Sequence, residues 1–324
     1  MTPFGWSPAD FVLPPWLVAP AVRSCRLFNT ALDYVFYDVP ALRAALEEKD
    51  GPMKAAGEKP PSRIIDFDAL SSPEGSLLLI DANHAPYVHK YVSVTAFLES
   101  PYDETREVDV ATITGVGSSA LGSAALAWNV SAALARPVLA IVPGYGVADV
   151  VMQGLGGWFA FSLHDFLRSK TFIQAALAMT APRAASIGRN LPASTPDEPA
   201  APGGAPIFRY GSGSSDALHA LLKHRATPFR VLVGHSKGAL QINNAIRSLP
   251  SKKTRGLRVV TLGCPVGEDV ANVAYHQYLG LFDALGQLNA WGHRPDHWPP
   301  TWHSTNPALP PAMAAGEMTS ESVR

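Results

Sequence analysis

From residue 107 onward the hydrophobic positions alternate between short β-branched runs and longer stretches rich in Ala and Leu. Val108-Asp-Val-Ala-Thr-Ile-Thr114 has the β-branched content of a strand, Gly115 to Ser119 reads as a turn, Ala120 to Ala135 as a helix, and Pro137-Val-Leu-Ala-Ile-Val142 as a second strand. Strand, turn, helix and strand at this length predict a parallel pair joined by a right-handed crossover. Farther along, Ser214 or Ser215 can N-cap a helix through Ala217 to His224, and Phe229-Arg-Val-Leu-Val233 is a strand. Ala239, Ile242, Ile246 and Leu249 then recur at helical spacing, and Leu257 to Gly263 is a further strand. The pattern predicts an α/β fold, with a mostly parallel sheet and helices on both faces.

Before residue 107 the signal is weaker. Residues 1 to 60 read as a peripheral N-terminal arm: Ala41 to Glu48 is helix-like, and Asp50-Gly51-Pro52 followed by Gly57, Pro60 and Pro61 reads as a stop and a linker. Such an arm would pack on the core or touch an apolar surface. Ser76 to Asp81 and Tyr87 to Thr95 are short apolar runs, the second alternating like a strand. Between Val150 and Pro182 stands an apolar tract with Trp158, Phe159, Phe161, Phe166, Leu167, Phe172 and Ile173, followed by a Pro/Ala/Gly loop at 190 to 206. One main domain over 61 to 310 is expected, with an insertion at 150 to 206 and a C-terminal tail at 311 to 324.

The composition narrows the function classes. With 47% hydrophobic and 16% charged residues, the 324-residue chain can bury a large core and is not disordered. Its 26 basic and 27 acidic residues leave a net charge of −1, which gives no field to hold nucleic acid. The two cysteines, Cys25 and Cys264, are far apart and outside any C-x-x-C pattern, so free thiols are expected rather than a disulfide or a thiolate metal site. His84 and His89 form no metal constellation, and neither metal nor cofactor is expected. Prolines break the N-terminal apolar stretch, which lacks a cationic start; it reads poorly as a signal peptide, and a cytoplasmic location is the expectation. The uncharged run from Val110 to Ala135 is long enough to span a bilayer, but Gly115, Gly117, Gly122 and several serines interrupt it, as a strand, turn and buried helix would.

The chemistry centres on Gly234-His235-Ser236-Lys237-Gly238. A serine hydroxyl attacks a carbonyl only if a base takes its proton and donors await the oxyanion, so it must stand clear of the sheet on a strained strand-to-helix turn. Glycines two before and two after it are required because a Cβ there would strike the neighbouring strand or helix. As a bare pattern, G-x-S-x-G is weak. Here an apolar strand leads into it and an amphipathic helix leaves it, which is the required context. The base must be a histidine after the serine, chosen from His276, His293, His297 and His303. His303, in the loop-like Thr301-Trp-His-Ser-Thr-Asn306, is the choice and His297 the second. Asp296, after the strand-like Gln287-Leu-Asn-Ala-Trp291, is the choice for the acid over Asp283, Asp269 and Glu268. One oxyanion donor is the N–H of Lys237; the second comes either from Gly115-Val116-Gly117 or from Pro143-Gly-Tyr145-Gly.

These residues resemble the α/β-hydrolases, and among them the lipase class 3 group. The elbow, Val259-Val-Thr-Leu-Gly-Cys-Pro-Val-Gly267 (similar to V-x-T-F-G-x-P-x-V-G) and Asp296-His-Trp-Pro299 (similar to D-x-V-P) carry the likeness, as does Pro143 to Gly146 with Asp149 for the oxyanion loop. The likeness spans about residues 107 to 310. Lys237 departs from the usual Leu, and a histidine follows Asp296 sooner than in that group. The resemblance implies an α/β-hydrolase fold with a cap or lid over 150 to 206. It also implies a serine esterase or lipase acting on a small-molecule or lipid ester, with peripheral contact to a lipid or polymer surface. An acyltransferase with the same triad and a non-catalytic apolar-surface binder are the alternatives.

Overall fold

The computed structural model describes residues 14–57, 72–91, 93–100, 108–154, 163–189, 213–225, 228–247, 249–268, 270–290 and 292–324. Trp158, Phe159, Phe161, Asp269 and the 190 to 206 loop lie outside the described residues.

Among the described residues seven strands form one sheet: β1 (Leu77–Ile80), β2 (Val88–Tyr91), β3 (Val110–Ile113), β4 (Val138–Ile141), β5 (Val231–His235), β6 (Leu257–Leu262) and β7 (Val273–Tyr278). Their order is β2-β1-β4-β3-β5-β6-β7. From β4 to β7 all neighbours are parallel, with Val110 opposite both Val138 and Val231, and Leu232 opposite Val259. β1 runs antiparallel to β4 and to β2.

Both faces of the sheet are covered, which is why its inner strands read as near-continuous apolar runs. On one face Leu78, Ile80, Val138, Ala140, Val231 and Val233 pack under α2 (Val39–Ala55), α4 (Ala120–Leu134) and α12 (Ala315–Val323). The alternate residues Leu77, Leu79, Leu139, Ile141 and Leu232 pack under α3 (Val94–Leu98), α8 (Gly213–His224) and α9 (Lys237–Ile246). The uncharged run from Val110 to Ala135 is β3, a turn and α4; among the described residues no helix is long and apolar enough to cross a membrane.

Four sequence expectations require correction. The N-terminal segment is not peripheral: α1 (Pro15–Phe36) leads through Tyr37 into α2, and Tyr37, Val39, Leu42 and Leu46 are core residues. Helix α2 also continues through Gly51 and Pro52, which the sequence suggested as a stop. The segment 311 to 324 is no loose tail, since Met313, Ala315 and Met318 join the core and Gly316 packs so closely on α4 that a Cβ would lie 2.7 Å from the Asn129 carbonyl oxygen. Finally, Gln287 to Ala290 is not a strand, because α11 (Ala284–Ala290) occupies it; Trp291 lies outside the described residues. The last described strand is β7, whose polar sequence escapes an apolar search because it lies at the sheet edge, paired to a full strand on one side only, and is half-buried at its start.

The described part of the aromatic tract forms α5 (Val147–Gly154), α6 (Leu163–Thr180) and α7 (Pro182–Ala185). They pack on α1 through Val18, Val22, Val147, Ala148, Leu177 and Ala184. Phe172 on α6 is 74% exposed while its neighbour Ile173 is partly buried, so this stretch of α6 divides between solvent and interior. Beneath them Lys170 Nζ lies 2.8 Å from both Glu74 Oε1 and Asp149 Oδ1, and Arg189 Nε donates to Glu74 Oε2 at 3.0 Å. Burial opposes the charge on Glu74, but Lys170 and Arg189 outweigh it and hold the carboxyl below its usual range.

Helix α1 meets the start of α4 through Asp33. Its Oδ2 accepts from the Ser119 amide at 2.9 Å and its Oδ1 from the Ser118 hydroxyl at 2.7 Å. A carboxylate is favoured at a helix N-terminus, yet full burial dominates and pushes Asp33 up from 3.8 to about 6. The native state therefore keeps this proton to higher pH than the unfolded chain does, so its contribution to stability is complete below pH ~4 and is lost as pH rises through ~6. At roughly 1.4 kcal/mol per pH unit, the loss is about 3 kcal/mol. Asp33→Asn, whose amide oxygen can still accept from the Ser119 N–H while its NH2 donates to the Ser118 hydroxyl oxygen, should remove this component. The wild-type-minus-variant difference in unfolding free energy, measured by denaturant titration, should fall between pH 4 and 6.5. A flat or rising difference would contradict the burial argument.

Candidate functional site

The C-terminal end of β5 runs directly into α9 through Ser236, whose backbone has φ 52° and ψ −134°. This is a region that non-glycine residues occupy only when their surroundings enforce it. The enforcement is visible at the flanking glycines. A Cβ on Gly234 would lie 2.5 Å from Ala239 Cα, and one on Gly238 would lie 2.2 Å from the Ile113 carbonyl oxygen at the end of β3. The two glycines allow α9 to leave β5 at once and cross the end of β3, which lifts the Ser236 side chain out of the sheet.

Ser236 borders a cavity of about 470 Å³. Lys237, His235, His303 and the loop Gly115 to Ser118 share its wall, and Phe28, Leu32, Phe36 and Leu285 supply apolar surface. Parallel neighbours β3 and β5 end side by side, so the loop after β3 meets the elbow: a Cβ on Gly115 would lie 3.3 Å from Ser236 Cβ. The N–H of Lys237 opens α9 and so belongs to the turn that lacks intrahelical acceptors. Val116 and Gly117, the latter at φ 76°, line the same cavity.

Tyr145 does not join them. The loop after β4 is one strand farther from β5, and it packs on the segment before β1 instead: Gly75 N donates to the Val142 carbonyl at 2.9 Å, and a Cβ on Gly144 would lie 2.2 Å from Glu74 Cα. Asp149, the residue matched to the family's loop, accepts from Gly146 N and contacts Lys170. Tyr145 itself is fully buried.

The acid expected at Asp296 also requires correction, while His303 lies at the cavity wall. His303 Nδ1 lies 2.8 Å from Asp283 Oδ2 and 2.9 Å from Oδ1, so the ring donates from Nδ1 and leaves Nε2 as the basic nitrogen. Asp283 is buried ahead of α11 and accepts a further bond from Gly286 N at 2.6 Å. Asp296 is elsewhere: exposed, on the outer side of β7, its Oδ2 accepting from Gln277 N at 2.7 Å. The misplacement follows from the misread strand. Once β7 ends at Tyr278, the first acid in the loop beyond it is Asp283, and Asp296 belongs to the return segment pairing with β7.

The other late histidines are not at the cavity wall. His297 stacks on Tyr278 with centroids 4.6 Å apart, His293 is exposed, and His276 lies on β7. His84 sits beside Asp81, and His89 packs on Tyr91.

Several contributors were not assigned to the site by sequence reasoning. Gly263, at φ 71°, ends β6 under the His303–Asp283 pair, where a Cβ would lie 2.9 Å from Nδ1 and 3.0 Å from Asp283 Oδ2. It stands in the Val259 to Gly267 segment, so its motif was visible but not its purpose. Asp33 and Tyr37 reach the site from α1, which sequence patterning assigned to an arm. The side chain of Lys237 is buried, and burial lowers its ammonium to about 8. Cys264, also buried, is pushed up to about 12 and stays a thiol. Compared with known proteins, the chain matches no protein-family model and no curated sequence at a significant level.

Proposed function

We propose that this protein is a serine hydrolase of the α/β-hydrolase type that cleaves carboxylic esters through an acyl-enzyme. The observation that carries the reading is the pairing of His303 with buried Asp283 in the wall of the cavity that Ser236 borders from a strained strand-to-helix turn. Ser236 Oγ attacks the ester carbonyl as His303 Nε2 takes its proton. Asp283 holds the ring in the Nδ1–H tautomer and stabilises the imidazolium, which then returns the proton to the leaving alcohol. Water, activated by the same histidine, releases the acid. The amide of Lys237 and one from Val116 or Gly117 receive the oxyanion.

The apolar wall from Phe28, Leu32, Phe36 and Leu285 suits an acyl chain, and Phe28 is 58% exposed, so the apolar surface extends outward from the cavity. An apolar ester is the substrate class this favours. The cap expected over 150 to 206 has its central aromatics outside the described residues, and α5 to α7 are the part of it that packs on α1.

Wild-type protein should react covalently with a fluorophosphonate and turn over a short nitrophenyl ester. Ser236→Ala should abolish labelling and lower kcat by at least ~1,000-fold, given that losing a triad serine removes about 10⁶. Retention of more than about a hundredth of the activity would place the nucleophile elsewhere.

The acid is tested separately. Asp283→Asn should lower kcat by about 10³ to 10⁴ through the wrong imidazole tautomer, whereas Asp296→Asn, whose carboxylate faces solvent, should stay within about twofold of wild type. The opposite ranking would reject the Asp283 assignment.

A further inference from the structure

A chain of hydrogen bonds crosses behind Ser236 through two side chains that the acyl-transfer steps do not use. The Gly115 amide donates to the Tyr37 phenolic oxygen at 2.8 Å, and the same oxygen lies 2.8 Å from His235 Nδ1. On the far side of that ring, His235 Nε2 lies 2.7 Å from the main-chain carbonyl oxygen of His303. A carbonyl only accepts, so Nε2 carries the proton. Nδ1 is then bare in the neutral ring and accepts the single phenolic proton, while the phenolic oxygen accepts from Gly115. Every donor and acceptor along the chain is matched by this one arrangement.

The arrangement is held across the pH range in which an esterase works. His235 is 1% exposed; burial and the neighbouring His303 lower it to about 3, so it stays neutral. Tyr37 is 2% exposed and burial raises its phenol, so it stays protonated. Because the phenol's only proton is committed to His235, Tyr37 is no oxyanion donor in spite of bordering the cavity.

The two ends of the chain belong to the parts whose spacing matters most. Gly115 begins the loop that carries the Val116 and Gly117 amides, and the His303 carbonyl is the backbone of the proposed base. They come from the end of β3 and from the segment after α11, while His235 itself closes β5 beside Ser236. No element of secondary structure spans all three. We propose, resting on the serine-hydrolase reading above, that Tyr37 is a positioning residue: with His235 it holds the oxyanion loop and the base histidine at a fixed separation on either side of the nucleophile. The N-terminal helix α1, which delivers Tyr37, is thereby a part of the catalytic unit.

The test uses the full chain and a soluble short-chain ester. Tyr37→Phe keeps the ring and removes the hydroxyl; it should lower kcat about 10-fold, less than loss of an oxyanion donor itself, with KM within about twofold. His235→Leu should give a similar fall, and the double variant no more than either single one, since both cut the same chain. Independent of activity, nitrogen NMR of the wild type should show His235 with Nε2 protonated and Nδ1 bare from pH 6 to 8. Multiplicative losses in the double variant, a change confined to KM, an unaffected Tyr37→Phe, or the opposite tautomer would each overturn the proposal. Should Tyr37→Phe fail to fold, His235→Leu and the tautomer measurement decide it. A wild type that neither labels with fluorophosphonate nor turns over ester would refute the hydrolase reading instead, while leaving the tautomer measurable.

Discussion

The site depends on one close contact, that of Gly238 with the Ile113 carbonyl oxygen at the end of β3. There is no room for a Cβ, and that absence lets α9 turn back over the sheet immediately after β5. The turn in turn forces Ser236 to φ 52°. A looser junction would give the helix a relaxed start and leave the serine hydroxyl lying along the sheet. The backbone strain is sustained by packing on both sides, with Gly234 against Ala239 as the matching half.

Around that junction the parallel register does the assembling. β3, β5, β6 and β7 all end at the same edge, and each end delivers one component: the 115 to 118 loop, the elbow, Gly263 beneath the His–Asp pair, and the segment bearing Asp283. Strand order also explains what is left out. β4 lies beyond β3 from the elbow, so its following loop with Tyr145 and Asp149 is used to bury the Glu74, Lys170 and Arg189 charges instead. The polar groups thus divide into two sets, one anchoring α6 away from the cavity and one facing it.

Helix α1 closes the structure on the remaining side. Through Asp33 it holds Ser118 and Ser119, and through Tyr37 it holds Gly115, so the short loop between β3 and α4 is tied at both ends to an element nearly eighty residues upstream or more. Burying Asp33 is unfavourable for its charge, as its raised pKa records. A solvent-facing contact would avoid this, but it would leave the loop untethered.

Local pattern was enough to determine the β3-α4-β4 unit, strands β5 and β6, and the elbow at Ser236, because each is specified within a few residues by β-branched runs, helical spacing or obligatory glycines. His303 was reachable by the order of residues along the chain and its loop context. The partner of His303 was not: the edge strand β7 lacks an apolar signature, and without it the sequence favoured Asp296, although Asp283 is the one that meets Nδ1, from 20 residues away. Tyr37 is separated from His235 by 198 residues, and no short-range spacing encodes their meeting. Contacts between segments that distant arise from strand order and helix packing, which only the tertiary structure decides.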